Sequence, residues 1–227
     1  MVKSKKIFEC NNCGHQSSKW TGKCIECNEW NTLSERILSS SRKNSVSKSL
    51  KTPQLINDIK GESSERIQIN DQEFNRVIGN GLVKGSVILL GGEPGIGKST
   101  LSLKIALTLQ LKVLYISGEE SNEQIKLRAK RLNYQNNQCF IYNETEINTI
   151  IKTSDEVTPK LIIIDSIQTI YNSEIDAIPG SVSQIKYSAE VLIKFAKERS
   201  IPIIIIGHIP KDGAIAGPKV LEHMVDT

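Results

Sequence analysis

From residue 86 onward, apolar residues come in short blocks separated by longer amphipathic stretches. Ser86-Val87-Ile88-Leu89-Leu90 is the first block, and Leu101 to Gln110 follows with a helical pattern. Lys112 to Ser117 predicts a second strand, and the charged run from Ser121 to Arg131 a second helix. Gln138 to Tyr142 reads as an edge strand with Cys139 buried in it. Leu161-Ile162-Ile163-Ile164-Asp165 is apolar without alternation, the pattern of a strand covered on both faces. Ser181-x-x-Gln184 has capping-box spacing. Ile185, Ala189, Leu192, Ile193 and Ala196 share one face of the helix that it opens, which is expected to reach about Arg199. The apolar run from Ile201 to Gly207 contains a proline and supplies the last strand. Strands alternating with helices predict an α/β fold, with a mostly parallel sheet and helices on both faces.

Residues 34–54 break this pattern. They are rich in Ser and Lys, poor in large apolar residues, and hold no period of 2 or 3.6, as a tether does. The expected organisation is a small module over 1–33, a basic Ser-rich tether over 34–65 and an α/β core over 66–227.

At 227 residues with 38% hydrophobic and 24% charged positions, the composition is that of a soluble globular protein. No run approaches the ~18 apolar residues of a membrane helix. The basic start, Met1 to Lys6, is not followed by an apolar signal core. The expectation is a cytoplasmic protein without a membrane partner. The net charge of +4 is unevenly placed. Residues 1–51 hold ten Lys/Arg and four Asp/Glu, and the remainder 19 and 21. A basic arm beside a near-neutral core suits nucleic acid, and equally a solvated linker.

Four of the five cysteines form two knuckles, Cys10-x-x-Cys13 and Cys24-x-x-Cys27. Each turn aims two sulfurs at one centre, and the two together give the four thiolates of a closed tetrahedral zinc site. Disulfides are disfavoured in a cytoplasmic chain. A closed site makes the zinc structural, and metal binding then supplies folding energy that so short a segment lacks. Trp20 and Trp30 are expected to pack around the knuckles rather than to stack on bases. His15 finds no vacancy among four cysteines.

Gly92-Glu93-Pro94-Gly95-Ile96-Gly97-Lys98-Ser99 matches G-x-x-x-x-G-K-[ST] between a predicted strand and a predicted helix. Glycines let the backbone wrap phosphates with its N–H groups, and the helix N-terminus adds positive potential. The expected ligands are ATP and Mg2+. Lys98 reaches the β- and γ-phosphates, Ser99 ligates the magnesium ion, and Thr100 contacts the α-phosphate. Four apolar residues ending in Asp165 form the matching strand whose carboxylate holds magnesium. Glu119 and Glu120 follow the strand after the P-loop helix, at the ligand edge of such a sheet. Glu119 is the first choice for orienting the attacking water and Glu120 the alternative. Glu93 is expected to point away from the phosphates. His208 ends the last strand on the same edge, as a γ-phosphate sensor or as a structural histidine.

The order of four-cysteine knuckles, tether, Gly-Glu-Pro-Gly-Ile-Gly-Lys-Ser-Thr, Ser117-Gly118-Glu119-Glu120-Ser121 and Ile163-Ile164-Asp165-Ser166-Ile167-Gln168-Thr169 resembles the bacterial RadA (Sms) family of DNA-repair proteins. So do Pro179-Gly180-Ser181-Val182-Ser183-Gln184 and the stretch from Gly213 to Thr227. The resemblance implies a RecA-like fold and a ring-shaped, DNA-stimulated ATPase in recombinational repair and branch migration. Its implied partners are single-stranded or branched DNA and a recombinase. By position, Glu119 matches the catalytic glutamate of RecA-like cores, and His208 the place of a γ-phosphate-sensing glutamine. Tyr171 to Gly180 corresponds to a first DNA-binding loop. Ile209 to Lys219 corresponds to a second, with Lys211 and Lys219 on phosphates. The family's further strands, its Lys-Asn-Arg-Phe-Gly motif and its Lon-protease-like domain do not occur in these residues, so a C-terminally truncated member is expected. One edge of Val87-Ile88-Leu89-Leu90 is then expected to lack a partner, partly covered by Arg66 to Asn70. Two other functions compete: a regulatory ATPase of the KaiC type, and a zinc- and nucleotide-binding module without turnover.

Overall fold

A computed structural model describes residues 5–38, 55–58, 66–208 and 220–227. The N-terminal part is a small antiparallel sheet of β1 (Lys5–Cys10), β2 (Gln16–Ser17) and β3 (Leu33–Leu38), in the order β2-β1-β3. β1 and β3 pair from Lys5↔Leu38 to Cys10↔Leu33. The strand therefore runs to Leu38, past the module boundary expected at residue 33. The Ser-rich composition hid it, because an antiparallel ladder is satisfied by backbone groups whatever the side chains are. The small core is Cys10, Cys24 and Leu33, with Phe8, Cys13 and Cys27 packed against it.

The second sheet has five parallel strands: β4 (Val87–Gly92), β5 (Val113–Ser117), β6 (Cys139–Tyr142), β7 (Leu161–Asp165) and β8 (Ile203–His208). Their order is β4-β8-β7-β5-β6. The helices are α1 (Gln72–Val77), α2 (Lys98–Thr108), α3 (Asn122–Leu132), α4 (Ile147–Val157) and α5 (Val182–Arg199). Successive strand residues point to opposite faces, and the unbroken run in β7 shows the consequence. Leu161 and Ile163 join the layer under α2 and α3, while Ile162 and Ile164 join the layer under α4 and α5. Both faces are covered, as expected for an all-parallel sheet.

Pattern reasoning passed over α4. Its apolar face is short, with Ile147 and Ile150 buried and Ile151 packed beside them, and most other positions are polar or charged. Its N-cap is Glu146, whose carboxylate accepts from Thr149 N at 2.7 Å. The box expected at Ser181 is half made. Ser181 accepts from Gln184 N, but the Gln184 side chain reaches away to Asn172, Ile175 and Ala177 and pins the loop before α5. The complete capping box is instead Ser121 with Gln124. Cys139 is half-buried rather than buried, because β6 is the sheet edge.

β4 is the opposite edge, yet its outer side is not bare. Asp226 N donates to Val87 O at 2.9 Å, and Leu89 N donates to Thr227 O at 2.8 Å. The Asp226 carboxylate also accepts from Val87 N at 2.9 Å. Ile67 bridges Leu82, and Ile69 joins the apolar layer of Ile88, while the edge backbone hydrogen bonds come from Asp226 and Thr227. No helix among the described residues is long and apolar enough to cross a membrane.

Candidate nucleotide site and metal centre

α2 starts on the last lysine of the glycine loop. Its N-cap, Gly97, has φ +101 and offers no side chain to the first turn. A side chain there would be strained, and the uncapped N–H groups are left for an outside acceptor. This is the backbone arrangement that an anion-binding loop requires. Lys98 is almost fully buried, and its Nζ donates to Gly92 O at 2.8 Å and Glu93 O at 2.7 Å. Burial lowers its pKa, while the charges of Asp165 and Glu119 work the other way. A buried cation held by two loop carbonyls has exchangeable partners, and a phosphate oxygen is a stronger acceptor than either.

Ser99 Oγ donates to Asp165 Oδ1 at 3.1 Å. The hydroxyl and carboxylate expected to hold magnesium therefore share one point, brought together from α2 and β7. The other Asp165 oxygen, Oδ2, accepts from Tyr115 OH at 2.5 Å. Sequence reasoning missed Tyr115. The available signal was a polar tip inside the apolar block of β5, two residues before its end. Burial, then the Asp165 charge, push the Tyr115 hydroxyl well above its ordinary pKa, so it stays a donor.

The two acidic candidates part company. Glu119 Oε1 accepts from Ser166 Oγ and lies 3.2 Å from His208 Nε2. Glu120 forms an ion pair with Arg128 of α3. Register produces this arrangement. Ser117 pairs with Asp165 and Gly92 with His208, so the C-terminal ends of four strands gather at one edge. Gly118 allows the close approach: a Cβ there would lie 2.1 Å from Thr169 Oγ1 and 2.8 Å from Thr145 Cγ2. Gln168 Nε2 donates to His208 O at 3.3 Å, tying the turn after β7 to the end of β8. Ser166 and Gln168 were also missed as neighbours of the site, although they directly follow Asp165.

The loop expected to touch DNA first, Tyr171 to Gly180, is described and pinned by Gln184. Together with Asn11, Asn12 and Thr32 of the N-terminal sheet it lines a cavity of about 1310 Å³. The second expected loop, with Lys211 and Lys219, lies outside the described residues.

In the N-terminal sheet the four sulfurs of Cys10, Cys13, Cys24 and Cys27 lie within 4.8 Å of one another. Cys10 and Cys27 approach to 3.6 Å, and Cys13 and Cys24 to 3.5 Å. Tetrahedral coordination with Zn–S bonds near 2.3 Å implies S···S distances of roughly 3.8 Å, so the four thiols fit zinc closely. Burial alone would raise the Cys10 pKa, but hydrogen bonds with Thr32 and the backbone of Cys13 and Asn12 outweigh it and bring it to about 6. Trp20 and Trp30 do not pack around this centre. They are 58% and 68% exposed, because Phe8 and Leu33 already fill the space beside the cysteines.

Comparison with known proteins agrees with both halves. A family described as a rubredoxin metal binding domain matches residues 8–35, and one described as an AAA domain matches residues 58–214. Curated relatives called DNA repair protein RadA align with the whole chain. The one from Listeria monocytogenes is 47% identical over 51% of its own length, and the one from Bacillus subtilis 46% over 52%. The one from Pseudomonas aeruginosa is 41% identical over 51%. The chain thus spans about half the length of the curated relatives it matches. Among solved structures, the KaiC-like protein PH0186 from Pyrococcus horikoshii OT3 superposes with a TM-score of 0.53 at 17% identity, over 67% of this chain and 76% of its own. That likeness bears on the fold alone. The five-stranded parallel sheet, the phosphate loop and the four-cysteine ribbon sit in one chain with these relatives, and the chain belongs to the AAA-domain family, among the RadA-type proteins.

Proposed function

We propose that the chain is a DNA-dependent ATPase of recombinational DNA repair, acting on branched recombination intermediates from the cytoplasm. The observation that supports this reading best is the junction of Ser99, Asp165 and Tyr115 beside the Glu119–Ser166–His208 cluster. Lys98 exchanges its loop carbonyls for β- and γ-phosphate oxygens, and Thr100 lies next along α2 for the α-phosphate. Ser99 and Asp165 would hold magnesium, which when bound would neutralise charge on the phosphates. Glu119 orients the attacking water and takes its proton. Ser166 and His208 fix which carboxylate oxygen faces that water. Glu120 is committed to Arg128, so Glu119 is the better base. His208, in contact with Glu119, senses the γ-phosphate and relays its presence to the segment that follows β8. Single-stranded or branched DNA and a recombinase complete the reading, as the relatives' name and the resemblance suggest.

The test is phosphate release by the purified chain, with and without single-stranded DNA. Glu119→Gln is expected to keep nucleotide binding and to lose hydrolysis by at least about 100-fold, the scale of a general base. Glu120→Gln should stay within about ten-fold of the parent chain. Lys98→Ala should lose binding itself. A Glu119→Gln variant that hydrolyses ATP normally would refute the assignment. Binding without turnover in the parent chain would favour the module that only holds nucleotide.

A further inference from the structure

The two exposed indoles of the N-terminal sheet carry an inference that the nucleotide site does not. Trp20 and Trp30 converge over Gly22. A Cβ at that glycine would lie 3.6 Å from Trp30 Cζ3 and 3.9 Å from Trp20 Cη2. The backbone beneath them is fixed. Asn31 N donates to Gly22 O at 2.9 Å, Cys24 N donates to Glu29 O at 2.9 Å, and Lys23 bridges Trp30. Lys23 Nζ stands 5.9 Å from the centre of the Trp30 ring. Lys19 is exposed beside Trp20. A pair of exposed indoles, with the Lys23 ammonium over the Trp30 ring, offers the chemistry that takes an unstacked nucleobase and its phosphate once that flexible lysine swings from the ring to the phosphate. The described ribbon, residues 5–38, holds five Lys/Arg and four Asp/Glu, and the sequence over residues 1–51 holds ten and four. Of the acids, Glu29 lines the cavity on the side of Tyr171 to Val182.

We propose that Trp20 and Trp30, with Lys19 and Lys23, form a stacking site for single-stranded nucleic acid on the zinc ribbon. The proposal deepens the DNA-dependent reading and rests on it. It also assigns to the ribbon a contact separate from the loops beyond β7 and β8. Zinc then has a mechanical role: the Cys24–Cys27 knuckle lies between the two indoles in sequence and holds them at one spacing.

These are the chain's two tryptophans, so its tryptophan emission reports on this site alone. The experiment titrates the full chain with a short oligodeoxythymidine, following tryptophan emission and the anisotropy of an end-labelled strand together. Emission should be quenched and should saturate with the anisotropy. Trp20→Ala and Trp30→Ala should each weaken binding by about 5- to 150-fold, the range of one lost stacking partner. Trp→Phe at either position should restore most of it, since the aromatic face remains. Zinc content in every variant separates loss of the site from loss of the fold. Unchanged emission during saturable binding would overturn the proposal. So would alanine variants that bind normally, or that keep DNA but lose a protein partner. DNA-stimulated hydrolysis without quenching would sink the stacking site and spare the ATPase reading. Quenching without stimulation would do the reverse.

Discussion

Replacing Tyr115 by Phe removes one oxygen from the middle of the site and leaves the ring in place. That oxygen donates to a buried carboxylate at 2.5 Å. Hydrogen bonds to charged acceptors contribute about 1.5–3 kcal/mol, and a deleted donor leaves the acceptor desolvated and short of a partner. For a domain of this size, 1 kcal/mol moves Tm by roughly 2–4 °C, so Tyr115→Phe should lower Tm by roughly 3–12 °C. A second readout is specific to the role of Asp165. Without its Tyr115 partner the carboxylate is free to rotate away from Ser99. Nucleotide binding should then need about ten-fold more magnesium, while binding measured without metal changes little. The pH dependence has a definite sign. Burial raises the Tyr115 pKa above its ordinary value of 10.0. Above about pH 10 an unfolded tyrosine has lost its proton and the folded one has not, so this group's stabilisation is complete below that pH and declines above it. The parent chain should lose stability there by about 1.4 kcal/mol per pH unit more steeply than Tyr115→Phe. Thermal unfolding of both chains from about pH 7 to 11, with a magnesium titration of fluorescent nucleotide binding, checks each part. Equal Tm values and equal magnesium requirements would refute the view that Tyr115 positions Asp165.

Metal analysis of the purified chain should find about one zinc per chain, and Cys13→Ser with Cys27→Ser should abolish it. A full equivalent retained by that double variant would end the zinc assignment. Gly118→Ala places a Cβ 2.1 Å from Thr169 Oγ1 and 2.6 Å from Thr169 Cβ. The end of β5 must shift and carry Glu119 with it, so hydrolysis should fall at least about ten-fold while nucleotide binding persists. Turnover equal to the parent chain would show that the Thr169 turn yields instead.

The parallel sheet and the motifs on it were legible because their signals are local. A phosphate loop needs its glycines, lysine and serine in consecutive positions, and a doubly covered strand needs an unbroken apolar run such as Leu161 to Ile164. Four cysteines in two close turns are equally explicit. What stayed hidden depends on contacts between distant residues. The Tyr115–Asp165 bond spans 50 positions and the Ser166–Glu119 bond 47. The end of the ribbon was misjudged for the same reason, since β3 is defined by its ladder to β1 rather than by its own composition. Exposure of Trp20 and Trp30 went against expectation because a ribbon has a core too small for indoles once Cys10, Cys24 and Leu33 occupy it.

The edge of β4 shows how a short segment changes a physical argument. An unpaired strand of Val87, Ile88, Leu89 and Leu90 would be a template for aggregation. The chain answers with a backbone donor from Asp226, an acceptor from Thr227 and the Asp226 carboxylate. A carboxylate on an edge N–H satisfies that donor and places charge beside it, and inward-turned charge is one way that edges are blunted. Leu221 is buried in the layer under α4 and α5, with Met224 and Val225 packed against that layer, so the segment is anchored from two directions. β4 carries the phosphate loop at its far end, and its inner register with β8 sets Gly92 opposite His208. Whatever steadies the outer edge of β4 therefore also steadies the spacing between the phosphate loop and the Glu119–His208 pair.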